Sequence, residues 1–270
     1  MSIKIKVLGS GHANCNPEFN FNSMYLIQFK CAGEGTYKNL LLDCGKHFQP
    51  AVFYHKLNYW DIDGVYISHL HGDHIGGLED LAFGTYFAPP QFIKKPKIFG
   101  KAGILRELWE GALRAGLSSL AAHQIRDGKV VSQLDTYFEP IALKGNDSFE
   151  FEGVNFTPVQ MIHIVNGYNF MDTYGLIIDT GFNKIFWTSD SQFAPDQIKG
   201  IYKQVDMIWG DCETAPWRSG VHSHYDDWKT LAPEIKAKTW LTHTQDNPPQ
   251  DAIGDGFAGF LKRGQEFDIN

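Results

Sequence analysis

The run His69-Leu70-His71-Gly72-Asp73-His74 puts three imidazoles and a carboxylate into six residues, directly after Val65-Tyr66-Ile67-Ser68. A strand end followed by a turn sends such side chains in different directions around one small volume. Neutral imidazole suits zinc and related cations, and a carboxylate adds a hard oxygen donor. A single cation rarely needs four protein donors from six consecutive residues. Two cations sharing the segment do, and paired cations flank both oxygens of a displacement at phosphorus.

The elements that must position this cluster follow from hydrophobic periodicity and turn residues. Ile3 to Leu8 alternates and stops at Gly9-Ser10-Gly11; Met24 to Phe29 and Leu40 to Asp43 are further strands, separated by a turn at Gly33-Glu34-Gly35. Helical spacing covers Gln49 to Asn58, the short strand Gly64 to Ser68 feeds the cluster, and Ile75 to Thr85 reads as a helix. A strand at Lys97 to Phe99 and a helix from Lys101 to Gly116 come next, with Leu117 to Lys129 undecided. Strands are then expected at Thr136 to Leu143, Phe149 to Pro158, Tyr174 to Asp179, Lys184 to Trp187, Asp206 to Trp209 and Thr239 to Thr242. Helices at Pro195 to Tyr202 and Tyr225 to Ala232 flank the latter half, and Ala88 to Lys95 reads as an exposed loop or lid. Two strand-rich halves with helices between them predict two sheets packed face to face and covered by helices.

With 270 residues, 43% hydrophobic and 20% charged, the chain is read as one α/β domain over 1–270. A chain this long buries enough apolar surface to fold without disulfides or a structural metal, so a bound metal would be chemical. The balance of 24 Lys+Arg against 31 Asp+Glu leaves a net charge of −7. That argues against a long nucleic acid, whose phosphates call for a basic face, and favours a small substrate. Cys15, Cys31, Cys44 and Cys212 form no Cys-x-x-Cys pair, so buried reduced thiols in a cytoplasmic protein are expected. No signal-peptide pattern and no apolar run of membrane-spanning length is read.

His-x-His-x-Asp-His is the signature of the metallo-β-lactamase superfamily, and the chain resembles that family over nearly its whole length. The resemblance implies an αββα sandwich of two mixed β-sheets flanked by helices. Gly72 and Ile75-Gly76-Gly77-Leu78 look most like its phosphodiesterase branch, which includes ribonuclease Z. Carried over residue by residue, His69, His71 and His163 match the donors to one metal, and Asp73, His74 and His243 those to the other. Asp190, after Phe186-Trp187-Thr188-Ser189, matches the carboxylate that bridges both, and Asp43 the aspartate that supports the site from behind. A bridging aspartate disfavours β-lactam hydrolysis, and a histidine rather than glutamate at position 71 disfavours flavin-linked redox chemistry. Thioesterases share the donor set and stay open.

Asp211-Cys212-Glu213-Thr214 resembles the family segment in which an acidic residue precedes a threonine. His222-Ser223-His224 resembles a His-Ser-Thr-like motif, with histidine where the pattern has threonine, so either imidazole is open as the general acid. The resemblance gives Asp73 the task of orienting or deprotonating the nucleophile, and His222, helped by Glu213, that of protonating the leaving oxygen.

Several segments are similar to the small phosphodiesterases of phages, the anti-Pycsar enzymes among them, which hydrolyse cyclic mononucleotides such as cCMP and cUMP, and also cAMP and cGMP. That likeness implies a cyclic-nucleotide substrate, action in a host cytoplasm, a homodimer and two zinc ions, with manganese or iron as alternatives. Tyr86, Phe87, Phe92 and Trp217 are candidates to stack on a base. A tRNA 3′-processing endonuclease is the second reading, although the long basic arm of ribonuclease Z has no counterpart here. A metal-binding scaffold without catalysis is the third.

Overall fold

The computed structural model of the chain describes residues 2–30, 36–119 and 132–269, together with the backbone of 125–126 and 129–130. The expected turn at Gly33-Glu34-Gly35, Cys31 and most of the undecided 117–129 segment lie outside the described residues.

Two seven-stranded sheets form the body. The first runs Glu266–Ile269, Ser2–Gly9, Met24–Lys30, Lys38–Leu42, Gly64–Tyr66, Lys97–Lys101, Glu139–Leu143. Its early strands pair antiparallel and its later ones parallel, so it is mixed. The second runs Gly259–Phe260, Thr239–Thr242, Met207–Asp211, Lys184–Trp187, Thr173–Asp179, Val154–Met161, Phe149–Phe151, and is mixed as well.

Period-two alternation decides which layer each side chain enters. Leu40 and Leu42 face the other sheet, joining Ile5, Val7, Tyr25 and Ile27 against Phe156, Leu176, Trp187 and Trp209. Leu41, between them, faces outward with Leu26, Val65 and Ile98 onto the helices Phe48–Tyr54 and Leu78–Tyr86. On the second sheet, Phe186, Ile208 and Leu241 face the helix Pro195–Tyr202 and the single turn Tyr225–Trp228. The result is four layers, αββα. Each fully buried large side chain contributes roughly 1.5–3 kcal/mol, so this layering has ample apolar drive.

Some boundaries differ from the sequence reading for local reasons. The expected helix from Ile75 is two helices, Gly72–Ile75 and Leu78–Tyr86, parted at Gly76-Gly77. There the chain presses against the loop after Lys38–Leu42: Gly77 N–H donates to Cys44 O at 2.9 Å, and a Cβ on Gly77 would run into Phe48 and Gly45. The start of the expected Thr136 strand is instead a helical turn, Leu134–Tyr137, because the Thr136 hydroxyl accepts the Gln133 N–H at 2.9 Å. The strand proper begins at Glu139. Phe149 to Pro158 is a hairpin rather than one strand, with Glu152 and Gly153 both at positive φ, the requirement of a tight turn. The helix from Ala102 to Leu117 contains a π-helical stretch, Leu108–Leu113. Two short C-terminal strands and a hairpin at Val165–Asn166 and Asn169–Phe170 had no clear periodic signal.

Lys38–Leu42 and Gly64–Tyr66 are parallel, as are Lys184–Trp187, Met207–Asp211 and Thr239–Thr242. Val154–Met161, two antiparallel steps from Lys184–Trp187, runs the same way as that strand. Residues just past all these carboxyl ends share one edge of the sandwich, where ligands of open α/β sheets commonly bind.

Close packing behind that edge is testable at Gly45, whose added Cβ would meet the Asp73 carbonyl and Asn22 Cβ. Gly45→Ala is expected to cost on the order of 1–3 kcal/mol, since backbone rather than a flexible side chain must yield. Urea denaturation reads this directly; an unchanged midpoint would show that the loop is not held against the motif.

Candidate metal centre

Every sequence-predicted donor comes to the shared edge, from the segments that follow four different strands. His69, His71, Asp73 and His74 follow Gly64–Tyr66; His163 follows Val154–Met161; Asp190 follows Lys184–Trp187; His243 follows Thr239–Thr242. Their donor atoms fall into two groups that share Asp190: His69, His71, His163 with Asp190, and Asp73, His74, His243 with Asp190.

In the first group, His69 Nε2 stands 3.0 Å and His163 Nε2 3.3 Å from His71 Nδ1. Asp190 Oδ2 is 3.7 Å from both His69 Nε2 and His163 Nε2. In the second, Asp73 Oδ2 lies 3.2 Å from both His74 Nε2 and His243 Nε2, and Asp190 Oδ1 lies 3.3 Å from His74 Nε2. Nitrogen donors about 2.0–2.1 Å from a tetrahedral zinc stand roughly 3.3 Å apart, so these spacings fit the edges of a coordination shell. His74 Nε2 supplies an independent sign: it is buried and makes no hydrogen bond despite two carboxylates at close range. An inward, unshared imidazole lone pair among carboxylates suits a cation.

Surrounding groups decide which ring nitrogen points inward. Asp43, wholly buried, accepts from His74 Nδ1 at 2.6 Å, from the Ser68 hydroxyl at 2.7 Å and from Ser68 N–H at 2.9 Å. His163 Nδ1 donates to Val221 O at 2.8 Å. Those bonds place the proton on Nδ1 and leave Nε2 free to coordinate.

The electrostatics follow from burying opposite charges together. Burial pushes His69 well below the usual histidine range, with His74 adding to the effect. For His74 and His243 burial acts in the same direction, but the surrounding carboxylates together outweigh it and hold both well above that range: Asp190, Asp73 and Asp43 for His74, and Asp190, Asp211 and Asp73 for His243. Burial would raise the Asp73 and Asp190 carboxyls, yet the adjacent imidazoles keep both below ordinary values. Bound cations would take over from these protons in neutralising the carboxylates.

The two candidate acids separate cleanly. His222 belongs to the site: its ring lies 5.0 Å from that of His163 and 4.8 Å from that of His243. His224 is occupied elsewhere, with Nε2 donating to Ala215 O at 2.9 Å and Nδ1 capping the Tyr225–Trp228 turn through Asp226 N–H. The carboxylate at His222 is Asp211, which accepts from His222 Nδ1 at 2.8 Å and from Ser191 N–H at 2.8 Å. Burial would lower His222, but Asp211 outweighs it and holds the imidazole above its usual value. Asp211 Oδ1 also lies 3.4 Å from His243 Nδ1. Glu213, expected to help His222, instead accepts from Ser219 N–H at 2.8 Å and so shapes the loop that carries His222.

In the sequence Asp211 stands out only as the first residue of the Asp211-Cys212-Glu213-Thr214 segment. Its place as the last residue of a buried apolar strand, Met207–Asp211, was the available signal. Of the four candidate aromatics, Tyr86 packs on Phe87 and Tyr137, and Phe92 stacks on Trp60. Trp217, exposed, is the one carried by the Glu213–His222 loop. Cys15, Cys44 and Cys212 are free and buried, as expected. No helix among the described residues is long and apolar enough to cross a membrane.

Comparison with known proteins adds the family. The family model described as "Anti-Pycsar protein Apyc1" matches residues 3–267. The chain is 29% identical over 248 residues to the anti-Pycsar protein Apyc1 of Paenibacillus harenae, covering 91% of each. It is 28% identical over 275 residues to that of Bacillus phage vB_BsuM-Goe3, covering 97% of each. Among solved structures, the metallo-β-lactamase fold protein YhfI of Bacillus subtilis superposes with a TM-score of 0.74 at 19% identity, covering 100% of both chains. The αββα architecture is thus the metallo-β-lactamase fold.

Asp43 offers the sharpest test of how the site is held. It sits at φ 56°, a conformation asparagine tolerates, so Asp43→Asn keeps the backbone while removing the charge behind His74. Metal affinity measured by competition with a chelator is expected to fall about 10–100-fold with the fold intact. Unchanged affinity would show that Asp43 plays no part in presenting His74.

Proposed function

Because the chain belongs to the anti-Pycsar Apyc1 family, we propose that it is a metal-dependent phosphodiesterase that opens cyclic mononucleotides to linear nucleotide monophosphates. The observation that carries this reading is the pairing of two donor groups sharing Asp190 with His222, whose ring lies against those of His163 and His243 and whose Nδ1 is held by Asp211 at 2.8 Å. Hydrolysis at phosphorus needs both parts: positive charge at the phosphoryl group and a proton for the oxygen that leaves.

His69, His71, His163 and Asp190 would hold one cation, and Asp73, His74, His243 and Asp190 the other. When bound, such a pair supplies Lewis acidity, polarising the phosphoryl oxygen and lowering the pKa of water. The remaining work belongs to the chain. Asp73, held ionised by His74 and His243, accepts a hydrogen bond from the attacking water and orients it toward phosphorus. As the P–O bond to the ribose oxygen breaks, His222 gives that oxygen its proton from Nε2, while Asp211 steadies the imidazolium through Nδ1. Glu213 acts one step removed, fixing the loop from which His222 projects.

We further propose zinc as the metal, given five imidazoles among seven donors, with manganese or iron as alternatives. A homodimer, a single domain over 1–270 and action in the cytoplasm of an infected cell complete the reading. A relative encoded by a Bacillus phage supports the last. A tRNA 3′-processing endonuclease is the competing reading, and the net charge of −7 argues against it.

Incubating the metal-loaded protein with cCMP, cUMP, cAMP and cGMP, and separately with precursor tRNA, decides between them. Linear monophosphates are expected from the cyclic nucleotides, with the tRNA left intact; the reverse pattern would overturn the reading. Asp73→Ala is expected to abolish turnover in a folded protein, and full retained activity would refute its role. His222→Ala should lower kcat by about 10²–10⁴-fold while both cations stay bound, as for loss of a general acid. A normal rate in that variant would place the acid elsewhere.

A further inference from the structure

The loop after the first strand carries an imidazole that none of the steps above uses. His12 is fixed by its backbone on several sides. Its N–H donates to Thr244 O at 3.1 Å, and its carbonyl accepts from Asn22 Nδ2 and from Cys15 N–H, each at 3.1 Å. Gly11 bridges both Asn22 and Thr244, and a Cβ there would collide with Cys15, so the loop packs with no room to spare. These contacts seat the His12 backbone against Thr244, the residue after His243.

His12 Nδ1 accepts the Asn14 N–H at 3.4 Å, which leaves the proton on Nε2, and Nε2 has no protein partner among the described residues. Among the charged groups near enough to act on the ring are three of the site, His243, Asp73 and His222, together with Asp246 outside it. His12 belongs to neither donor group, so a cation does not account for it. Its half-buried setting favours the uncharged ring, and burial followed by His243 lowers its pKa from the ordinary histidine value. A neutral N–H donor anchored beside this site has one evident use: an oxygen brought in by the substrate.

We propose that His12 is a substrate-contacting residue, its Nε2–H donating to a non-bridging phosphoryl oxygen on the His243 side of the site. The inference rests on the phosphodiesterase reading above and names an additional residue for it. As attack proceeds, charge builds on the non-bridging oxygens, and a fixed donor there stabilises the transition state more than the ground state. A neutral donor also leaves the carboxylates' balance undisturbed, which a lysine at that place would not.

The test compares wild type, His12→Ala and His12→Gln as full-length, metal-loaded proteins, with cAMP as substrate and AMP as the binding probe. His12→Ala is expected to lower kcat/KM for cAMP about 10²-fold, the scale for removing one such donor, and to weaken AMP binding in calorimetry several-fold. Metal content and melting temperature should match wild type, and His12→Gln, which keeps an N–H, should recover part of both losses. Equal AMP affinity in wild type and His12→Ala overturns the proposal. So does a loss that tracks lowered metal content or melting temperature, or one the glutamine variant does not relieve. A wild type that binds AMP through His12 yet hydrolyses no phosphodiester would sink the enzymatic reading and leave the contact standing.

Discussion

Three carboxylates, Asp43, Asp190 and Asp211, are carried at 0–2% exposure where the two sheets meet, so water cannot be what neutralises them. A buried charge without a partner costs several kcal/mol, and the surrounding structure must therefore supply positive charge at fixed positions. Each carboxylate does meet imidazoles: Asp43 meets His74, Asp211 meets His222 and His243, and Asp190 meets four of the five proposed ligand rings. Most features of the edge serve that requirement. Ser68 and Ser191 give backbone N–H groups to Asp43 and Asp211, so that each anion is also hydrogen-bonded by main chain that cannot move away. Such a cluster is stable only when complete, which links the fold's rigidity to the chemistry it houses.

Completeness requires strand ends to aim their side chains, and the backbone shows the strain of doing so. Asp43, Ser189 and His243 all adopt positive φ without being glycine; Asp43 and His243 follow directly on strands that reach the site edge, and Ser189 comes one residue later. An L-residue there costs of order 1–3 kcal/mol and persists only when its surroundings dictate it. Here the dictating element is the carboxyl end of a buried strand whose next residue must swing inward instead of continuing the ladder. Packing behind the edge supports the same turn. Tyr25 reaches across the core to share a hydrogen with the Thr242 hydroxyl, immediately before His243.

Residues close in sequence were legible because their information is local. The six-residue histidine motif, the strand that feeds it and the αββα layering follow from spacing and period-two alternation. His163, Asp190 and His243 could be placed only by resemblance, since nothing near them in sequence says that Val154–Met161 and Lys184–Trp187 run the same way. The helix break at Gly76-Gly77 depended on a contact with Cys44 and Gly45, some thirty residues away, and no periodicity reports that. The same holds for His222 and His224. Two positions apart, they were indistinguishable by type, and only the direction of the loop separates a ring near His163 from one bonded to Ala215. Glu213 and Asp211 differ for a related reason. Asp211 is the last residue of the strand Met207–Asp211 and the sheet fixes its direction toward His222, whereas Glu213 lies past the strand end, where the loop turns its carboxylate to Ser219.

A division of labour follows from where the donors sit. Residues at strand ends are tied to the sheet, so changing them disturbs the candidate metal site and the core together. A protein with 19% identity nevertheless shares the architecture over its full length, which shows how little of the remaining sequence the frame constrains. Substrate choice must then reside in segments that leave the strand ends and return, where side chains can change without unbalancing the buried charges. Three such segments border the edge: the loop holding His12, the hairpin after His163, and the Glu213–His222 loop that presents Trp217. The first is packed too closely to move, whereas the other two expose Tyr168, Phe170 and Trp217. For the proposed phosphodiesterase, recognition of the phosphate, common to every such substrate, would suit the rigid loop. Recognition of whatever the phosphate is attached to suits the aromatic ones.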